Sequence, residues 1–125
     1  MFQNVNVFRT AMALARHAGG AQAVSAQNMA NADTPGYRAL RMPDFAAVAD
    51  SGKGMRATRP GHMPLETNNG VARPERIRDA EDPNGNTVAL EAEMIAAANA
   101  RSDHDRALAI YRNALSVLRS SLGRG

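Results

Sequence analysis

The stretch Asn28-Met-Ala-Asn-Ala-Asp-Thr-Pro-Gly-Tyr37 stops a helical pattern by chemistry that leaves the backbone little choice. Thr34 precedes Pro35 and is pushed out of the α region, and Pro35-Gly36 supplies the fixed φ and then the positive φ of a type II turn. A helix arriving from the N-terminal side therefore ends here. Asn31 is placed to be the left-handed residue after that helix, and Asp33 or Thr34 to hydrogen-bond the departing backbone. Tyr37 offers an apolar ring with a polar tip just beyond the turn.

Upstream of the turn, Val5, Phe8, Met12, Ala15, Gly19, Gln22, Ala26 and Met29 recur at 3,4 spacing, the seam of a coiled-coil-like helix. The spacing predicts a helix of roughly 25 to 30 residues, about 40 Å long. Its weak point is Gly19-Gly20, at about 1 kcal/mol per Gly relative to Ala. Either the pair kinks or breaks the helix, or the missing Cβ lets another helix approach closely.

Downstream the character changes. Five of the six prolines (Pro43, Pro60, Pro64, Pro74 and Pro83) fall between Arg38 and Asn86, so no helix runs far through this stretch. Large apolar residues occur singly there, and Ala57-Thr-Arg-Pro60 and Val71-Ala-Arg-Pro74 suggest short extended pieces. Asp82-Pro-Asn-Gly85 then forms a turn, with Asn86 or Thr87 as N-cap of a second helix. Glu91 and Glu93 sit in its early turns and Arg119 and Arg124 near its other end, as the helix dipole favours. Its seam runs Leu90, Met94, Ala97, Arg101, His104, Leu108, Tyr111, Leu115, Leu118, Leu122, which predicts more than 30 residues, about 45 Å.

The expected fold is mainly α: long N- and C-terminal helices pair in a coiled-coil-like bundle, joined by an extended Pro/Gly-rich middle with room for short β pairing. Residues 1–37 hold the first helix and its turn, 38–86 an extended or partly disordered middle, and 87–125 the second helix, together one domain. The composition agrees. Trp is absent and aromatics make up 4% of the chain, so the 44% hydrophobic fraction is largely Ala, Val, Leu and Met, which fill narrow helix interfaces better than a globular interior. An elongated molecule that completes its burial against neighbours is expected.

Fifteen Lys and Arg against twelve Asp and Glu give a net charge of +3, with the arginines spread among acids rather than gathered on one stripe. That distribution argues against a nucleic-acid partner. The absence of cysteine excludes disulfides and thiolate metal sites. Met1 to Thr10 does not read as a cleavable signal, and no run approaches the roughly 20 apolar residues of a membrane span. His17, His62 and His104 lie in separate segments, and Asp103-His104-Asp105 point in different directions on a helix, so no metal site is expected. No nucleophile elbow or phosphate-binding Gly loop is present, and no catalytic residue, cofactor or small-molecule substrate is assigned.

Asn28, Ala30, Asn31, Thr34, Gly36 and Tyr37 match the Asn-x-Ala-Asn-x-x-Thr-x-Gly-Tyr signature of the flagellar rod, hook and hook-associated family, which this chain resembles over roughly residues 1–45 and 80–122. Asp82-Pro-Asn-Gly-Asn-Thr-Val88, then Leu90, Glu93, Met94 and Asn99, is similar to the family's C-terminal pattern. Ala89 stands where an Asp is common and Asp103 where an aromatic is expected. The small size resembles the members at the base of the rod rather than the longer distal rod and hook proteins. The resemblance implies a structural subunit of the periplasmic basal-body rod, exported by the flagellar type III system without a cleaved signal peptide. It implies as partners further copies of the chain, other rod proteins (FlgC-like, FlgF-like and FlgG-like), a small FliE-like adaptor, and the membrane ring and export gate. The motif residues, Pro35 included, would fix the turn, and Val5, Phe8, Met12, Ala15, Met29, Leu90, Met94, Leu108, Tyr111, Leu115, Leu118 and Leu122 would form the assembly seam. From another class, a soluble helical adaptor or nucleic-acid-binding module that folds on its partner is the alternative.

Overall fold

A computed structural model describes residues 2–51, 72–77 and 83–123. Two long helices dominate, α1 (Phe2–Ala30) and α3 (Leu90–Leu122), with a short helix α2 (Phe45–Ser51) and two short strands, β1 (Leu40–Arg41) and β2 (Glu75–Arg76), between them. The fold is mainly α, with the terminal helices packed against each other as the sequence predicts. They run antiparallel: Ser25 of α1 meets Glu93 near the start of α3, while Phe8 meets Tyr111 towards its other end, ring centroids 5.1 Å apart and edge to face.

Gly19-Gly20 neither breaks nor ends α1, which continues for 29 residues on its Ala-rich sequence. Among the described residues of the single chain no second helix lies against the pair. A Cβ on Gly20 would come 3.1 Å from the Met42 Cε, so it is the side chain of Met42 that crosses there, and a Cβ on Gly19 would meet nothing within 4 Å.

The buried stripe of each long helix lies one residue ahead of the predicted seam. In α1 it is Ala11, Ala18 and Ser25 rather than Met12, Gly19 and Ala26; in α3 it is Glu93, Ala100 and Ala107 rather than Met94, Arg101 and Leu108. The antiparallel register sets Ala18 level with Ala100 and Ala11 level with Ala107. Small residues at heptad spacing let two helix axes approach closely, and the larger neighbours are turned to the rim of the interface.

In the middle, β1 pairs antiparallel with β2, Leu40 opposite Arg76 and Arg41 opposite Glu75, and the Ile77 N–H donates to the Ala39 carbonyl at 2.9 Å. The extended piece predicted at Ala57–Pro60 lies outside the described residues, as does Val71 of the one predicted at Val71–Pro74; Ala72, Arg73 and Pro74 are in no strand, and the observed strand begins directly after Pro74. The short helix α2 had no sequence signal beyond isolated Phe45 and Val48. Tertiary contacts hold it: Phe45 packs edge to face on His17, with centroids 5.6 Å apart, Val48 is buried, and the His17 Nε2–H donates to the Pro43 carbonyl at 2.6 Å. The segment from β1 to α2 thus lies along one side of the helix hairpin, and among the described residues none covers the opposite side. None of the described helices is long and apolar enough to cross a membrane.

Candidate functional site

The turn after α1 forms as its residues dictate. Gly36 has φ +72°, and the Tyr37 N–H donates to the Thr34 carbonyl at 3.2 Å, the positive φ and the closing bond of a type II turn. Asn31 departs from expectation, because no residue other than glycine has positive φ among the described residues. The last turn of α1 tightens instead: the Asn31 N–H is shared between the Gln27 and Asn28 carbonyls, and the Asn31 Nδ2–H adds a second bond to Gln27 O at 2.8 Å. The Thr34 hydroxyl donates to the Asn31 Oδ1 rather than to the backbone.

A second turn, around Asn84-Gly85, docks on the first through backbone. The Gly36 N–H donates to the Asn84 carbonyl at 3.0 Å and the Thr87 N–H to the Tyr37 carbonyl at 3.1 Å. Gly85, at φ +79°, lies so close that a Cβ there would stand 3.4 Å from the Gly36 Cα. Neither Asn86 nor Thr87 caps α3. The N-cap is Ala89, with no side-chain cap bond, at the position where the resembled family commonly has Asp. Both side chains are occupied across the junction. The Asn86 Nδ2 faces three carbonyl oxygens at the end of α1, those of Asn31, Ala32 and Thr34, at 3.0, 2.8 and 2.8 Å, while its Oδ1 accepts the Val88 N–H. Thr87 Oγ1 accepts the Ala39 N–H at 2.8 Å.

Asn28 is the centre. Its side chain is completely buried and uses the full capacity of an amide. Nδ2 donates to the Leu40 carbonyl at 2.7 Å and to Glu93 Oε1 at 2.9 Å, while Oδ1 accepts the Leu40 N–H at 2.9 Å and the Tyr37 hydroxyl at 3.2 Å. One side chain therefore ties α1, β1, the turn and α3 together. Glu93 completes the set: its Oε2 lies 2.9 Å from the Ser25 Oγ, whose other acceptor is the Glu93 carbonyl at 2.8 Å. No buried side-chain nitrogen or oxygen among the described residues lacks a partner, which is the condition under which a buried polar network stabilises rather than costs. The position of Glu93 in the first turn of α3 also suits its charge.

Of the motif residues, Asn28, Asn31, Thr34, Gly36 and Tyr37 thus meet at one junction; Pro35 sits in the turn and Ala30 ends α1 on the exposed side. The seam residues do not converge there. Phe8, Ala15, Met29, Leu108, Tyr111, Leu115 and Leu118 are half-buried, whereas Val5, Met12, Leu90, Met94 and Leu122 are exposed on the single chain. Ser25 was not singled out from the sequence, and Asn86 and Glu93 were read there as a cap and a dipole partner. Their signal was the stripe itself: Ser25 and Glu93 continue the heptad of buried alanines, where a polar residue needs a partner.

The Ser25 hydroxyl has one proton for two acceptors, so Glu93→Gln should be tolerated within about 1 kcal/mol: the amide N–H can donate to Ser25 Oγ while Oε1 still accepts from Asn28. Glu93→Leu strands the buried Asn28 N–H and should cost about 2 to 3 kcal/mol. Urea unfolding of both variants, followed by circular dichroism, checks this; equal stability would show that the bonds to Glu93 contribute little.

The junction has the form of a structural clasp, the side-chain polar atoms of Asn28, Asn86 and Glu93 all being committed to partners within it. Compared with known proteins, the chain matches no family model, and no curated protein matches it.

Proposed function

We propose that this chain is a structural, non-enzymatic subunit of the bacterial flagellar basal-body rod, a FlgB-like proximal rod protein that polymerises with other rod proteins into the drive shaft for motility. One observation supports the reading above the rest. The two segments that carry the resemblance, Asn28–Tyr37 and Asp82–Asn99, are joined in a single clasp between antiparallel terminal helices, through Asn84, Asn86, Thr87 and Glu93 of the second. Matching residues from both segments, Asn28, Asn31, Thr34, Tyr37, Asn86 and Glu93, thus meet at one junction, whereas Ala30, Leu90 and Met94 lie exposed outside it. A FlgC-like proximal rod protein is the nearest alternative, but its equivalent turn is usually expanded by an insertion, whereas here Ala32-Asp-Thr-Pro-Gly-Tyr37 is uninterrupted.

In this account subunits pass unfolded or partly folded through the type III export channel, and the clasp then fixes the angle at which α1 hands over to the middle segment. The exposed seam residues on the two helices bury against neighbouring subunits at about 25 cal/mol per Å2. Head-to-tail contacts that do not close generate a tube rather than a ring-closed oligomer. The neighbours are the other rod proteins, the FliE-like adaptor, and the membrane ring and export gate.

In a flagellated strain that has an export gate but cannot complete the rod, the chain is expected in the culture supernatant. Its retention in cells would favour the soluble adaptor instead. In a strain able to complete the rod, Leu115→Asp should abolish swimming while leaving export intact, since a charge would then be buried between subunits. Normal swimming would remove Leu115 from the seam.

A further inference from the structure

On the side of the hairpin away from β1 and α2, a groove of about 660 Å3 runs between the helices, walled by Phe8, Met12, Tyr111, Leu115 and Leu118. Arg9 and Arg16 line its α1 side. Leu115 also walls an adjoining cleft that contains Arg112 and Arg119. All four arginines are exposed, and the ion pair seen between two described residues, Arg106 with Asp103, involves none of them. Helix α1 contains no Asp or Glu, and α3 has none after Asp105. An apolar floor between two basic margins is the result. Further along α1, Gly19 leaves open space where a side chain would stand, a helix-weakening residue that packing among the described residues does not use.

We propose that this groove docks an amphipathic helix of another polypeptide, one whose apolar stripe is flanked by carboxylates. A concave channel between two helices takes the ridge of a third helix, with apolar anchors one turn apart. Charge selects the partner. A second copy offering the same face would set arginine against arginine, so symmetric self-pairing is opposed, whereas flanking carboxylates meet the guanidinium groups in paired geometry. A flat anionic lipid surface would satisfy the charge but not fill the channel. Phe8, Met12, Tyr111, Leu115 and Leu118 belong to the seam assigned to subunit contacts, so the inference rests on that seam and adds the chemistry of the helix it receives; failure of the peptides to bind would overturn it while leaving export and rod assembly to be judged by their own tests.

The test uses the full chain and two synthetic amphipathic helices with the same leucine stripe, one flanked by Glu and the other by Lys. Fluorescence anisotropy should show the Glu peptide binding at least about tenfold more tightly than the Lys peptide, with the preference lost at high salt. Nuclear magnetic resonance shifts should cluster at Met12, Leu115 and Leu118. The double variant Arg16→Glu/Arg112→Glu, whose changes are at exposed positions, should keep its circular dichroism spectrum and reverse the preference. Equal binding of the two peptides, absence of binding by both, shifts clustered instead at Val24 and Phe45, or uptake by phosphatidylglycerol vesicles in place of the Glu peptide would each overturn the proposal.

Discussion

Asn28→Ala is expected to destabilise the chain by about 3 kcal/mol or more, the largest loss for any single residue. The side chain is fully buried and its removal strands the Leu40 N–H and carbonyl, the Tyr37 hydroxyl and a Glu93 carboxylate oxygen at once. Each buried group left without a partner costs about 1 to 3 kcal/mol, and the terms do not simply add. Asn28→Asp separates hydrogen bonding from shape. It keeps the volume but turns two donors into acceptors facing a carbonyl and a carboxylate, so it should be at least as damaging as Asn28→Ala. Thermal unfolding followed by circular dichroism should show a drop in Tm of roughly 10 °C for both. An Asn28→Asp variant as stable as the parent would mean that the side chain serves only to fill space.

Asn86→Asp is the second large effect. The Asn86 Nδ2 lies among three carbonyl oxygens within 3.0 Å, in a site with 1% exposure, and a carboxylate there would face their partial negative charges without water. A loss of about 3 kcal/mol is expected. Its character should differ from that of Asn28→Ala. Asn28 and Ser25 still bind Glu93, so α1 and α3 remain paired while the two turns come apart. Proteolysis should then cut between Asn31 and Tyr37 at protease levels that leave the parent intact, with most helical signal retained. Resistance equal to that of the parent would show that Asn86 does not hold the turns together.

Much of this was legible in the sequence because the deciding interactions are local. Pro35-Gly36 fixes a turn by covalent geometry, and helix lengths follow from periodicity over many residues. What was not legible depends on partners far along the chain. Asn31 was expected to adopt a left-handed conformation, but its own side chain supplies the bond to Gln27 that such a cap would otherwise provide. Asn86 and Thr87 have the chemistry of N-caps, yet the carbonyls at the end of α1 and the Ala39 N–H claim them first. The buried stripe was displaced by one residue because large apolar side chains mark a seam more visibly than alanines do. In a closely approached antiparallel pair the alanines go inside. Met12 and Met94 then stand on the open face, where the sequence expects contact with other subunits. Strands β1 and β2 pair across more than thirty residues, a juxtaposition no local pattern encodes.

The clasp is tested most directly by hydrogen exchange of the native full-length chain. The Gly36, Ala39, Leu40 and Thr87 N–H groups lie outside the helices, yet each donates to a partner across the junction, to Asn84 O, Thr87 Oγ1, Asn28 Oδ1 and Tyr37 O respectively. If the junction is the structural centre, these four amides should exchange together and as slowly as those around Ala100 and Ala107 in α3. Exchange of the four at the rate of open loop, with the helices still protected, would contradict the clasp and leave two paired helices joined by an independent turn.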